Sequence, residues 1–340
     1  MATTSLTIDQ AAKLAIDVLM ANKTSRRNAA YVADALIAAE LDGQGGHGLS
    51  RLPSYAAQAG SGKVDGFAEP KLDWVAQAAI RVDAAHGFAY PALALAVDGL
   101  ARRVVDTGIA VAAVHHSHHC GMAGYHVERM ARQGMIGLMF ANSPMAMAPW
   151  GGNRPVFGTN PIAFAVPRAG GEPMVIDLSL SKVARGKIMV AAQNGEAIPE
   201  GWALDDQGRA TTDPQAALAG SMIPMGDAKG AALALMVEIL AAAVPGAALA
   251  FEASSFFTAD GPPPDVGQLL IAIHPGPLSG DRFAERLAGL LGAISDQPGT
   301  RLPGDRRLGL REHTAARGIA IPDKLLGQLR ELAASALVAS

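Results

Sequence analysis

A mixed α/β fold is predicted for this 340-residue chain, with a sheet-based domain joined to a helical unit built from both ends. Three observations predict it. Short apolar runs of strand length recur through the middle, helical periodicities separate several of them, and both termini carry helical patterns. Thr7 and Gln10 have the spacing of a capping box, and Leu14, Val18 and Leu19 continue an apolar face behind them. Ser25 can cap a second helix, in which Val32, Ala33, Leu36 and Ile37 recur at helical spacing up to about Leu41. A glycine-rich turn at 42–48 and a helical piece at 49–60 follow. Strand-like runs then lie at 80–82, 109–114, 136–141, 162–166, 174–176 and 269–273. Helical patterns separate them at 91–105 (Leu93, Val97, Leu100, Val104) and 122–133. From Arg282 the chain reads as helical again and closes with a helix at 322–337. The expected division is a sheet domain over 76–298 and a helical unit from 1–75 together with 299–340.

Composition removes several function classes. Lys+Arg number 28 against 31 Asp+Glu, a net charge of −3 with no block of like charges, so no phosphate-tracking surface and no nucleic-acid partner are expected. The one cysteine, Cys120, excludes a disulfide framework and a cysteine-rich zinc site. With an N-terminus that lacks a basic region followed by an apolar run, a cytoplasmic protein is expected. A mean hydropathy of +0.20 raises the membrane question, and 230–251 is its strongest candidate. Glu238 near the centre of that stretch and the Pro245-Gly246 break favour a buried core helix instead. The low charge and many alanines point to surface covered by a second copy of the chain, a homodimer.

Gly43, Gly45 and Gly48 spell a literal G-x-G-x-x-G, but a helical pattern precedes them where a dinucleotide-binding turn needs a strand. His47 and Arg51, four residues apart, would project together if a helix starts near Gly48. Such a pair suits a small 2-oxo or 2-hydroxy acid, Arg51 gripping the carboxylate in a fork and His47 handling the proton at C2. It is equally compatible with two surface residues after a turn. His115, His116, His118 and His119 invite a metal, yet strand neighbours point to opposite faces, so the four cannot converge on one ion and no metal is expected. The alternative is a strand-to-helix turn whose backbone amides meet an anion ahead of a helix from Met122. Gly158-Thr159-Asn160-Pro161 is either a tight structural turn or a donor set for a carboxylate or cofactor. Lys229 at a helix start opposes the helix dipole, which a bound phosphate would offset. Arg301 to Arg307 form a basic turn, holding phosphate or solvated.

In order along the chain, HGLSR (47–51), SGKVDG (61–66), SHHCGMAGY (117–125), FGTNPIAF (157–164), VARGK (183–187), GDAKG (226–230), GPPPDVGQ (261–268) and RLPGDRR (301–307) resemble the non-Rossmann malate/L-lactate dehydrogenase family. That family includes ureidoglycolate and sulfolactate dehydrogenases and the Δ1-piperideine-2-carboxylate/Δ1-pyrroline-2-carboxylate reductases. The resemblance spans nearly the whole chain. It implies NADP or NAD as cofactor, a largely antiparallel mixed sheet that binds it, and a homodimer with the nicotinamide near the subunit interface. It further implies His47 as the acid/base, Arg51 as the carboxylate clamp and Thr159 at the substrate. The implied cofactor residues are His119, Cys120, Gly121, Met122, Ala123, Asp177, Leu178, Ser179, Arg185, Gly186, Lys229, Gly304, Asp305, Arg306 and Arg307.

Two departures stand out. The family commonly has serine before the histidine, where this chain has Gly46. An aspartate of the cyclic-imine reductases, thought to complete a relay with that serine and histidine, corresponds to Lys187. The expected reaction is therefore hydride transfer between NAD(P)H and C2 of a small 2-oxo acid, with protonated His47 donating to the developing alkoxide. The alternatives are reduction of a cyclic imine carboxylate and a cofactor-binding relative that no longer turns over.

Overall fold

The computed structural model describes residues 2–334. Its centre is a seven-stranded sheet in the order Lys71–Ala76, Ala79–Asp83, Ile109–Ser117, Val266–Ile273, Ile136–Ala141, Ile162–Arg168, Gly171–Leu178. All neighbours are antiparallel except Ala79–Asp83 with Ile109–Ser117. A parallel pair needs a crossover, and the helix Ala89–Thr107 supplies it. Each predicted strand run lies inside an observed strand, whereas Lys71–Ala76 was not anticipated.

One face of the sheet packs on Ala89–Thr107 and Ala123–Arg132, where Leu93, Val97, Val127 and Met130 meet Val82, Ala112, Met139 and Ala165. Each fully buried large aliphatic side chain stabilises this layer by roughly 1.5–3 kcal/mol. The other face carries a second cluster, in which Met147, Leu180, Ile188 and Val237 cover Phe140 and Leu269. Its main helix, Asp227–Glu238, runs into a π-helical turn at Ile239–Ala243. There Gly267 lets the sheet approach closely, because a Cβ would sit 2.1 Å from the Ala241 carbonyl oxygen.

The expectation of a buried core helix at 230–251 holds for one face only. Ala231, Ala234, Val237 and Glu238 are buried, but Leu235 and Ile239 on the outer face are 48% and 49% exposed. An apolar sequence on all sides hid which side the sheet covers. No helix among the described residues is long and apolar enough to cross a membrane.

The third core belongs to both ends of the chain. Ala15, Leu19, Val32, Leu36, Leu52 and Tyr55 pack with Ile319, Ile321, Leu326 and Leu329. The Thr7–Gln10 capping box forms with both its hydrogen bonds, and Ser25 caps Arg26–Leu41. An unforeseen antiparallel ribbon, Thr3–Leu6 against Ile319–Pro322, ties the two ends together. The last predicted helix is Asp323–Ala334 within the described residues, and its expected extension to 337 lies outside them.

Candidate active site

The helix Arg26–Leu41 leads into the 42–48 glycines, so no strand precedes them and the dinucleotide fingerprint is absent there. His47 closes one 3-10 turn, Gly45–His47, and Arg51 closes a second, Leu49–Arg51, with Gly48 between them at φ −95° and ψ −144°. The premise of one continuous helical turn is therefore wrong, because Gly48 interrupts it. The two side chains nonetheless act on each other. His47 is held down to about 4 by burial and then by the Arg51 charge. Its Nδ1 is buried without a partner. In the free chain His47 is thus a neutral base near pH 7.

A second histidine backs the first. The His47 and His119 rings stack with centroids 5.4 Å apart and planes 21° apart. His119 Nδ1 lies 2.6 Å from the Tyr55 hydroxyl, which is 3.0 Å from the Tyr90 hydroxyl. Both tyrosines are fully buried, and burial pushes Tyr55 up to about 12, so the chain of hydroxyls stays protonated. Gly121 at φ 67° allows this layout, since a Cβ there would lie 2.5 Å from the Tyr90 hydroxyl. Sequence reasoning missed Tyr55 and Tyr90, which no motif contains.

A loop closes the other side. Gln58 Nε2 donates to the Phe256 carbonyl (2.7 Å) while its Oε1 meets His118 Nε2 (2.9 Å). Lys63 Nζ donates to the carbonyls of Ser255, Thr258 and Asp260 at 2.8, 3.1 and 2.9 Å. Held this way, the Phe256 ring packs on His118 and His119, and the Arg51 guanidinium lies 4.9 Å over the Phe257 ring. Arg51 Nε also donates to the Gly46 carbonyl at 2.7 Å, which aims the group.

Near the histidines, where Gln44 accepts from His47 N–H through its carbonyl, lies a cavity of about 530 Å³, lined by Gln44, Met122, Gly124, Asp177, Gly304 and Arg307 among others. Its volume is in the range of small-molecule sites. The helix Ala123–Arg132 does point its N-terminus here, but the anion it meets is internal, because Gly124 N–H donates to Asp177 Oδ2 at 2.7 Å. Burial pushes the Asp177 carboxyl up to about 6, against the pull of Gly124 N–H and Arg307. Arg307 pairs with Asp42 at 3.1 Å and with Glu128, and Arg311 bonds the same two carboxylates. Those arginines outweigh burial and hold Glu128 at about 2. Arg307 Nε and one terminal nitrogen are buried without hydrogen-bond partners. Arg301 and Arg306 line the same cavity. Three arginines on the lining, a backbone turn at Gly304 and this volume fit a phosphate-bearing cofactor.

The remaining residues singled out from sequence fall into separate groups. Cys120 is buried and its thiol is pushed up to about 12, so it is inert, and Ala123 opens the helix beside it. Leu178 ends its strand half-exposed, and the Ser179 hydroxyl lies 2.6 Å from that of Ser181. Thr159 N–H donates to Ser143 Oγ at 3.0 Å, and its carbonyl accepts from Leu180 N–H. Arg185 and Gly186 start the helix Arg185–Asn194, with the Arg185 guanidinium on the Leu218 carbonyl at 3.4 Å. Lys187 and Lys229 are exposed, and Asp305 accepts from Leu302 N–H. The structure brings His47, Arg51 and His119 together, and Met122, Asp177, Gly304, Arg306 and Arg307 around the cavity. It places Thr159, Arg185 and Lys229 with the cluster on the far face of the sheet.

A cavity lined by three arginines near a neutral histidine, on a mainly antiparallel sheet, fits a nicotinamide-dependent dehydrogenase of the non-Rossmann kind. The comparisons agree. The family described as malate/L-lactate dehydrogenase matches residues 6–330, and the chain belongs to it. It is 51% identical over 330 residues to the (2R)-3-sulfolactate dehydrogenase (NADP(+)) of Chromohalobacter salexigens, covering 97% of this chain and 98% of that one. It is 43% identical over 299 residues, 86% of each chain, to a Δ1-pyrroline-2-carboxylate/Δ1-piperideine-2-carboxylate reductase of Pseudomonas putida. Among solved structures, Δ1-piperideine-2-carboxylate reductase from Pseudomonas syringae superposes with a TM-score of 0.92 at 40% identity, over 97% of this chain and 100% of that one. Sulfolactate dehydrogenase from Methanocaldococcus jannaschii gives 0.91 at 30% identity, over 98% and 97%.

Proposed function

We propose that the chain interconverts a small 2-hydroxy acid and its 2-oxo acid, of the sulfolactate kind, with NADP(H). The observation that carries this reading is the half-buried, neutral His47 set beside the Arg51 cation and stacked on His119. Arg51 clamps the substrate carboxylate in a bidentate fork, and Phe257 keeps the guanidinium plane in place. In the oxidative direction His47 takes the hydroxyl proton. In the reductive direction the bound carboxylate offsets the Arg51 charge, so His47 can hold a proton and give it to the C2 oxygen. NADPH, when bound, supplies the hydride to C2. Arg307, Gly304 and Met122 would hold that cofactor, with Arg301 and Arg306 on the same lining available to a 2′-phosphate. Thr159, on the far face, would complete the substrate site with a second copy of the chain. The outer face of Asp227–Glu238, with Leu233, Leu235 and Met236 exposed, supports that homodimer.

A cyclic imine carboxylate is the second reading, favoured by the 43% identity to the Pseudomonas putida reductase. It has less support from the site, because Gly46 offers no hydroxyl and Lys187 is exposed. Purified protein is assayed with sulfopyruvate, other 2-oxo acids and piperideine-2-carboxylate, following NADPH and NADH separately. The 2-oxo acids with NADPH should turn over fastest, and His47→Ala should lower kcat by about 10²–10⁴-fold. Near-normal turnover of that variant would remove His47 from the chemistry.

A further inference from the structure

The two histidines that begin the His115–His119 run play no part in the site above. Strand alternation should send them to opposite faces, but the alternation stops at His116, whose φ is +48°. The backbone there is wrapped by the neighbouring turn, His86 N–H donating to the His116 carbonyl at 2.9 Å and Ala84 N–H to that of His115 at 3.0 Å. Both rings consequently meet, with centroids 4.3 Å apart. The parallel strand Ala79–Asp83 ends in register beside them, Asp83 opposite His115.

We propose that Asp83, His115 and His116 form a binding site for a divalent transition metal of borderline softness, with zinc as the type and His86 as the fourth donor. One ligand atom from each of the first three already lies within 4.8 Å of the others. His116 Nδ1 is 3.0 Å from Asp83 Oδ1, which also accepts from Ala85 N–H, and both bonds fall on the same oxygen. Oδ2 is therefore the oxygen offered to a cation. His115 is 5% exposed and its Nδ1 is buried without a partner. His86, whose ring lies 4.6 Å from that of His116, also has a buried Nδ1 with no partner. Unpaired buried nitrogens of this kind cost free energy unless something occupies them. Two imidazoles and a carboxylate are donors for zinc, nickel, cobalt or copper rather than for magnesium or calcium. Zinc–ligand bonds of about 2.0–2.1 Å need ligand atoms roughly 3.3 Å apart, so metal binding would have to draw the present set closer together. The charges that face His115 are the Arg81 cation, which acts most strongly and opposes an incoming cation, and the Asp83 and Asp265 carboxylates, which favour one. The metal would pin the ends of two parallel strands, three residues upstream of His119.

The test uses untagged, full-length protein stripped with EDTA, titrated with zinc by calorimetry and checked by metal analysis after dialysis. One zinc per chain with micromolar or tighter affinity is expected. His115→Ala and His116→Ala should each weaken it at least about tenfold, and the near-isosteric Asp83→Asn, which keeps the backbone contact, should do the same. His47→Ala should bind zinc as the unaltered protein does. Retention of zinc by Asp83→Asn and both histidine variants would overturn the proposal, and so would loss of zinc in His47→Ala alone. Thermal midpoints in EDTA, equal across the variants, establish that any loss belongs to the site and not to unfolding.

Discussion

At the scale of single residues, the chemistry rests on how His47 is charged. Burial and the Arg51 cation keep it at about 4 before substrate arrives. Reductive kcat/KM reports the free enzyme, so it should fall about tenfold per pH unit above pH 5, while kcat holds to higher pH because the bound carboxylate offsets Arg51. A reductive kcat/KM that is flat from pH 5 to 8 would rule out His47 as the donor. Arg51→Lys should raise KM at least about tenfold with a smaller change in kcat, since a point charge cannot reproduce the fork. The His47–Arg51 partnership was legible in the sequence although the supposed geometry was not: two 3-10 turns, not one helical turn, bring them together. Tyr55 and Tyr90 were illegible, because their relation to His119 spans 64 residues for one and a glycine-opened contact for the other.

At the scale of elements, the end of the helix Leu52–Ser61 and the loop that follows grip the segment 255–260. Gln58, Ser61 and Lys63 place five hydrogen bonds on its carbonyls. Lys63 is a positioning residue. Lys63→Met should speed hydrogen exchange over 255–260 and raise KM for the carboxylate substrate about tenfold, near the 1.4 kcal/mol of one charge-assisted bond, with kcat less affected. Unchanged exchange in that segment would separate the loop from Lys63. Helices and central strands were readable because caps and apolar periods are local signals. The edge strand Lys71–Ala76 was not, because it is exposed along most of its length and carries no alternation. The ribbon of Thr3–Leu6 with Ile319–Pro322 was hidden for another reason, its two halves lying some three hundred residues apart.

At the scale of the whole molecule, buried histidines set the acid limit of stability. His47, His118 and His126 are held at about 4, 3 and 4, each chiefly by burial. The unfolded chain takes up their protons near 6.5, so their contribution is complete above that pH and is lost as the pH falls towards 4. Asp177 acts in the opposite sense, because its folded value of about 6 exceeds the ordinary 3.8, and its share is lost as pH rises through 6. His119, fully buried and lowered further still, acts in the same sense, so the histidines outnumber the one carboxylate and stability should fall as the pH drops from 6.5 towards 4.5. Urea titrations across pH 4.5–6.5 should show it, with His126→Gln flattening the slope and Asp177→Asn steepening it. A slope that ignores both variants would place the acid sensitivity elsewhere.

The ribbon between the chain's two ends also fixes an order of events during synthesis. Ile319, Ile321, Leu326 and Leu329 complete the core around the first two helices, so those helices emerge from the ribosome long before the residues that cover them. They must wait, part-exposed, while the sheet forms between them and their partners. Nascent chains stalled before residue 319 should therefore lean on chaperones or stay open to protease at the first two helices, and emergence of residues 319–329 should close that window.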